Sequence, residues 1–474
     1  MWRRHWRLGV LLAVAGLAYG RGLDAYGMLM WDEAEYASLA RALARGEGYQ
    51  VAGAAEALRP PLLPLAGAAA IALAGRADDR VVKAASVAFA LAALLVVYVA
   101  AAGAYDRTTG LVAALLLAAA PWFWTATAHF LSELPLLTCF AAAAFAWSAA
   151  LLRSPRWFPI AWGCAGLALL ARYTALLLGP LFVLLTLTAL ALRAPGVGGR
   201  LRSRHALLAP LLAVAVTAPW FAYQALTFAD PLVGLRRAAG QLQAYLPGVS
   251  MPWHAYLTGL PAMLTAPTLA AVVFGVAWAA RRRDAFALHC VVIVGVVLLW
   301  FSAYRYKEPR LVSALLPAAA ILAAVGVTRG LTGDRPERLG LALVGTLAGV
   351  VWLGALSAQR TLTTVVTNGY PSFLAATAFL RTHSEPQALV VAPNPPQLWW
   401  YAERPVVAYP DAAALPDLLA RADWAVIADF ERGQPPYVAT LAARIPASAF
   451  AAGDAARFDD GRFRTLVVRA ALLR

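Results

Sequence analysis

Apolar runs of membrane-spanning length recur along residues 1–358 and stop there. A hydrocarbon core about 30 Å thick takes roughly 20 apolar residues of helix to cross. Runs near that length fall at 7–22, 60–76, 81–103, 110–128, 134–152, 158–173, 174–192, 206–226, 258–280, 286–303, 311–329 and 339–358. After residue 360 the period shortens. "ALVVAPN" (388–394), "RPVVAY" (404–409), "WAVIAD" (424–429) and "RTLVVRA" (464–470) are β-rich runs between turn residues, and "YPSFLAATAFLRTH" (370–383) has a helical period. The pattern predicts an α-helical polytopic membrane protein with about 11–13 transmembrane helices over 1–358, including an external loop at 23–59. A small α/β domain over 359–474 is expected outside the membrane.

Composition agrees with that pattern. Hydrophobic residues make up 61% of the 474 and charged residues 14%, against roughly 45–50% and about 25% in soluble domains. The net charge of +15 is uneven: residues 360–474 hold 11 Arg and 10 acids, so 29 of the 40 basic residues face only 15 of the 25 acids over 1–359. That excess sits in short loops between apolar runs, as cytoplasmic loops require, which argues against nucleic acid as the partner. Cys139, Cys164 and Cys290 lie within apolar runs and imply neither a disulfide framework nor a zinc site. The start "MWRRHWRLGVLLAVAGLAYG" lacks a small-residue cleavage pattern and reads as a first transmembrane helix with Arg3, Arg4 and Arg7 in the cytoplasm. There is no internal repeat, GxGxxG or P-loop, which argues against a nucleotide-driven machine.

Orientation exposes an inconsistency. The basic loops "RAPGVGGRLRSRH" (193–205), "RRRD" (281–284) and "TRGLTGDRPER" (328–338) belong in the cytoplasm, which puts 227–257, 304–310 and the C-terminal domain outside. A cytoplasmic N-terminus also puts 23–59 outside, so an odd number of crossings joins them, and one of the twelve runs is not a simple crossing. The weakest are 110–128, interrupted at Pro121 and Trp122, and the pair 158–192 around Arg172. Broken helices at membrane depth are tolerated where they line a protein cavity.

Polar groups of interest cluster beside these runs. "WDEAEYASLARALARGEGY" (31–49) carries Asp32, Glu33 and Glu35. Asp32 with Glu35 has the spacing of a helix capping box, followed by Tyr36, Leu39, Ala40 and Leu43 on one apolar face. Capping leaves Glu33 unexplained and does not exclude Asp32 from accepting a proton. Arg59 in "LRPPLLPL" (58–65) is either an interfacial anchor or a phosphate ligand. "TATAHFLSELPLL" (125–137) places His129, Ser132 and Glu133 between apolar runs, and Arg172 in "LALLARYTALLLGP" needs a carboxylate, a phosphate or a water-filled cavity. "FSAYRYKEPRLVSALLP" (301–317) concentrates Arg305, Tyr306, Lys307, Glu308 and Arg310 on the external face. There the cations call for compensation, by Glu308 or by a lipid phosphate. "APWFAYQALTFADPL" (218–232) offers Trp220, Tyr223, Phe228 and Asp230 as interface anchors or as a surface for a sugar or prenyl chain.

The order of these features resembles the GT-C superfamily of membrane glycosyltransferases. An acidic "DE..Y" loop follows the first helix; "RPPL.PL", "SE.PL", "GLALLARYTALLL", "PWFAY...F.DPL" and "YKEPRL...LLPA" come after it in turn. The sequence is most similar to the branch of protein O-mannosyltransferases and the aminoarabinose transferase acting on lipid A, over about residues 1–358. The resemblance implies transfer of a sugar from a polyprenyl-phosphate donor to an acceptor hydroxyl of a lipid, glycan or protein, on the extracytoplasmic face of the cell membrane. It assigns Asp32 as the catalytic carboxylate, Glu33 as its partner, and Arg59, Lys307, Arg310 and Arg172 as donor-phosphate ligands. Arg59 stands where many relatives have His or Lys. Tyr36, Glu133, Tyr306 and Glu308 are then substrate-binding candidates. No cofactor is required; a divalent metal occurs in the wider superfamily but is not indicated here. The alternative is a transporter or flippase for an anionic polyprenyl or glycolipid, against which the lack of pseudo-symmetric halves counts.

Overall fold

A computed structural model of the chain describes residues 5–23, 27–28, 30–244, 250–331, 370–429 and 434–474. The expected run at 339–358 lies outside them. The chain divides into two compact units, one of Met1–Leu23, Ala57–Ala66 and Lys83–Leu362, the other of Asp24–Glu56, Gly67–Val82 and Thr363–Arg474.

Among the described residues, six helical runs are long and apolar enough to cross a membrane: Asp79–Ala104, Glu133–Leu152, Tyr173–Ala191, Arg204–Phe228, Ala285–Ser302 and Pro309–Gly330. Two more are broken. Arg107–Ala118 meets Pro121–Thr127 at 66°, where Pro121 cannot donate to the preceding turn, as the sequence predicts for 110–128. Ala255–Leu264 meets Ala266–Arg282 at 110°, around Thr265 at φ 71°. Trp6–Gly20 and Leu62–Ala74 are apolar but short. Counting each bent pair once gives up to eight spans among the described residues, which leave out the run expected at 339–358. Helix starts follow their caps: Asp106 accepts from the Thr109 N–H at 2.8 Å and Asp284 from that of Ala287 at 2.8 Å.

Glu133–Leu152 and Pro309–Gly330 are buried over 83% and 89% of their apolar windows, so they form the centre of the bundle. Arg204–Phe228 is buried over 17% and turns Leu207, Leu208, Leu211 and Val214 outward, as a lipid-facing helix does. Two glycines allow the central packing. A Cβ on Gly275 would overlap the Leu322 carbonyl, and one on Gly326 the Ala271 carbonyl, so the two helices approach backbone to backbone. Gly275→Leu is expected to cost about 1–3 kcal/mol, read as a lower thermal unfolding midpoint in detergent. Gly295→Leu, where an added Cβ meets nothing within 4 Å, is the control expected to leave the midpoint in place.

The second unit carries a five-stranded sheet in the order Val406–Ala408, Val390–Ala392, Trp424–Ala428, Arg464–Arg469, Ala455–Asp459. The first three strands are parallel and the last two pairings antiparallel. Trp424–Ala428 is buried along its whole length, which is why it reads as a continuous apolar run. The edge strand Ala455–Asp459 alternates buried and exposed residues around Arg457 and Asp459 and was not legible as a strand. Helix Trp31–Ala44 packs on helix Pro395–Tyr401 of this unit. Segment Asp24–Glu56 belongs to the same compact unit as this sheet.

Candidate active site

In the helical unit the site is built around a break. Arg172 has extended backbone (φ −164°, ψ 138°) between helix Phe158–Ala171 and the turn Tyr173–Leu177. Its guanidinium donates to Glu133 Oε1 at 2.7 Å, and Arg310 stands 3.9 Å from the same oxygen. Arg172 thus finds the carboxylate its apolar surroundings demanded. Glu133 opens helix Glu133–Leu152, where the helix dipole favours a carboxylate, and its side chain is 3% exposed. Its second oxygen, Oε2, is buried and has no hydrogen-bond partner among the described residues. Arg310 also pairs with Glu308, whose other oxygen accepts from the Tyr306 hydroxyl at 2.5 Å.

The lead-in to Arg59 is tied to the same break. The Tyr173 hydroxyl donates to the Ala57 carbonyl at 3.2 Å and accepts from the Trp220 indole at 3.1 Å. Trp220 stacks on Tyr223 with ring centroids 5.3 Å apart, and Gln224 accepts the Gly234 N–H at 2.7 Å. Tyr173 and Gln224 were not singled out by sequence reading; the usable signal was a tyrosine next to an intramembrane arginine. Asp230 pairs with Arg236 at 2.9 Å and accepts the Leu232 N–H at 3.0 Å, a turn-forming role. Lys307 is buried, and its ammonium donates to the carbonyls of Met251 at 3.2 Å and Tyr304 at 2.5 Å. That bonding braces the loop on which Glu308 and Arg310 stand.

In the second unit, helix Trp31–Ala44 is capped by a different pair from the one expected. Its N-cap is Met30, whose N–H donates to Glu33 Oε2 at 3.0 Å, while Glu35 accepts from the Trp31 indole at 2.8 Å. The helix starts before Asp32, not after it, so Glu33 holds the capping position and Asp32 lies inside the first turn. Glu33 is buried at the cap, and Asp32 is half-buried one residue before it. Tyr36 is buried on the same helix. This unit also holds a cleft of about 540 Å³ lined by Arg76, Arg80, Arg381, Trp400 and Tyr401 among others. Among the described residues, no three His, Cys, Asp or Glu side chains converge to hold a metal ion.

The family model described as dolichyl-phosphate-mannose-protein mannosyltransferase matches residues 58–223, and that of the Alg9-like mannosyltransferase family matches residues 248–395. The fold is similar to that of ArnT from Cupriavidus metallidurans bound to undecaprenyl phosphate, with 18% identity, 98% of each chain covered and a TM-score of 0.74. It is also similar to the oligosaccharyltransferase AglB from Archaeoglobus fulgidus in complex with an inhibitory peptide and a dolichol-phosphate. There the identity is 13%, the coverage 90% of this chain and 70% of that one, and the TM-score 0.57. No curated protein sequence matches significantly. Two mannosyltransferase family models on successive stretches, and one shared fold along the whole length, place the chain in the GT-C superfamily of membrane glycosyltransferases.

Proposed function

We propose that this glycosyltransferase takes its sugar from a polyprenyl-phosphate carrier and passes it to an acceptor hydroxyl on the extracytoplasmic face of the cell membrane. The observation that carries the reading is the Arg172–Glu133–Arg310 cluster at a helix break within the apolar unit. Guanidinium groups at membrane depth suit a lipid-borne phosphate, because planar donors bind two of its oxygens at once. The relatives bound to undecaprenyl phosphate and dolichol-phosphate support the same donor class.

In the transfer, Asp32 takes the proton of the acceptor hydroxyl as its oxygen bonds to the anomeric carbon. The bond from that carbon to the phosphate oxygen breaks, and its electron pair stays on the phosphate. Arg59, Arg172 and Arg310 stabilise the charge that develops there, with Lys307 bracing the loop of Arg310. Glu133 holds the two guanidiniums and offers Oε2 to a sugar hydroxyl.

The test uses purified protein in vesicles with a polyprenyl-phosphate-linked sugar and no nucleotide. Sugar release from the carrier, inhibited by added undecaprenyl phosphate, is expected. Movement of intact lipid across the bilayer without release of sugar would show a flippase instead.

A further inference from the structure

We propose that the C-terminal α/β domain is the positioning device for the catalytic carboxylate, with Tyr401 and Arg41 clamping the two ends of the segment that carries Asp32. This rests on the assignment of Asp32 as the base. All the contacts below lie within the second unit.

The first jaw is aromatic. The Tyr401 hydroxyl donates to Asp79 Oδ2 at 2.6 Å and accepts the Met28 N–H, while the Trp400 indole donates to Asp79 Oδ1 at 2.5 Å. Both oxygens of Asp79 are therefore held by neighbouring residues of one short helix, and the phenol passes that constraint to the backbone four residues before Asp32. Gly27 is required beside it, since a Cβ there would strike the Tyr401 hydroxyl. Met30 is then fixed by Glu33, so the chain is pinned at Met28 and again at Met30 before the first helical turn. Burial first, and the Asp79 carboxylate second, push the Tyr401 phenol well above its usual range, which keeps it a donor.

The second jaw grips the same helix three turns on. Arg41 donates to the carbonyl of Trp400 at 2.7 Å and to that of Trp399, at the C-terminal end of helix Pro395–Tyr401, where carbonyls lack helical partners and the dipole is negative. Its guanidinium lies 4.9 Å over the Trp400 ring and 3.5 Å from Glu403, which also takes Arg45 at 2.9 Å. Burial lowers the Arg41 pKa to about 10, so it remains charged at neutral pH. Burial alone would raise the Glu403 carboxyl, but Arg41, Arg45 and Arg381 outweigh it and hold the group below the usual carboxylate range.

A core need alone does not explain this arrangement: half-buried Asp79 gives one oxygen to an indole and the other to a phenol, where an apolar contact of the same volume would leave the direction unset. Its effect is directional, fixing where the first turn of helix Trp31–Ala44 begins. Catalytic geometry is sensitive at that scale, with a misplacement near 1 Å costing about 10²-fold in rate.

The test is Tyr401→Phe in the full-length protein, with Asp79→Asn as a second variant that retains an acceptor for the Trp400 indole. Transfer from the polyprenyl-linked donor is measured together with hydrogen exchange of peptides spanning residues 27–36. The expected result is a fall in kcat of about 10²-fold with donor KM within about twofold, and faster exchange at 27–36 while the bundle peptides keep their protection. Unchanged kcat in both variants, or equal losses of protection throughout the chain, overturns the clamp. Failure of the underlying assignment is distinguishable: active Asp32→Asn removes the base, whereas inactive Asp32→Asn beside fully active Tyr401→Phe removes only the clamp.

Discussion

Asp32→Asn is expected to lower sugar transfer by about 10²–10⁴-fold, the usual contribution of a positioned general base, while binding of the polyprenyl-phosphate donor persists. Three acids stand in the first turns of helix Trp31–Ala44. Glu33 is buried and accepts the Met30 N–H, and Glu35 accepts the Trp31 indole. Both acids have structural work at the helix start; Asp32 stands half-buried beside them and is the acid to which the GT-C resemblance assigns the catalytic role. Asparagine keeps the size and one acceptor oxygen but cannot take a proton at neutral pH. Single-turnover rates with a labelled donor, alongside donor binding in detergent, separate the two effects. Turnover undiminished by the substitution would remove the catalytic assignment. Glu33→Gln is the informative companion, because glutamine still accepts the Met30 N–H and spares the cap.

What the sequence made legible follows from how much each signal depends on neighbours distant in the chain. Apolar runs and the β-rich texture after residue 360 depend on local composition, and the helices and four of the five C-terminal strands lie where they were expected. The fifth strand, "AARFD", sits at an edge with one face exposed, so its pattern carries little apolar signal. Arg172 was legible as needing a partner because charge in an apolar run is costly; that the partner is Glu133, 39 residues away, needed the fold. The helix cap misled because D-x-x-E at Asp32 and M-x-x-E at Met30 overlap in the same stretch, and only the backbone decides which residue precedes the first turn.

The Glu133–Arg172 pair is expected to separate stability from catalysis. Arg172→Gln leaves a carboxylate whose side chain is 3% exposed with Arg310 at 3.9 Å as its remaining cation, while Arg172 itself is 23% exposed. Breaking a buried pair from one side costs about 3–5 kcal/mol, and the partial exposure of Arg172 puts this case near the lower end. Adding Glu133→Gln removes the buried charge, so the double variant is expected to regain most of the lost stability. It is not expected to regain activity. The phosphate loses a guanidinium aimed at its developing charge, for which about 10²–10³-fold in kcat is the ordinary loss, and the sugar loses the carboxylate oxygen that stands without a partner. Thermal midpoints in detergent and initial transfer rates, taken on the two single variants and the double, resolve both terms. If the double variant recovers rate along with stability, the pair is a structural brace and the phosphate is bound elsewhere. If stability returns and rate does not, the charge on Arg172 acts on the substrate, and Glu133 serves to hold it in an apolar surrounding that no unpaired guanidinium would tolerate.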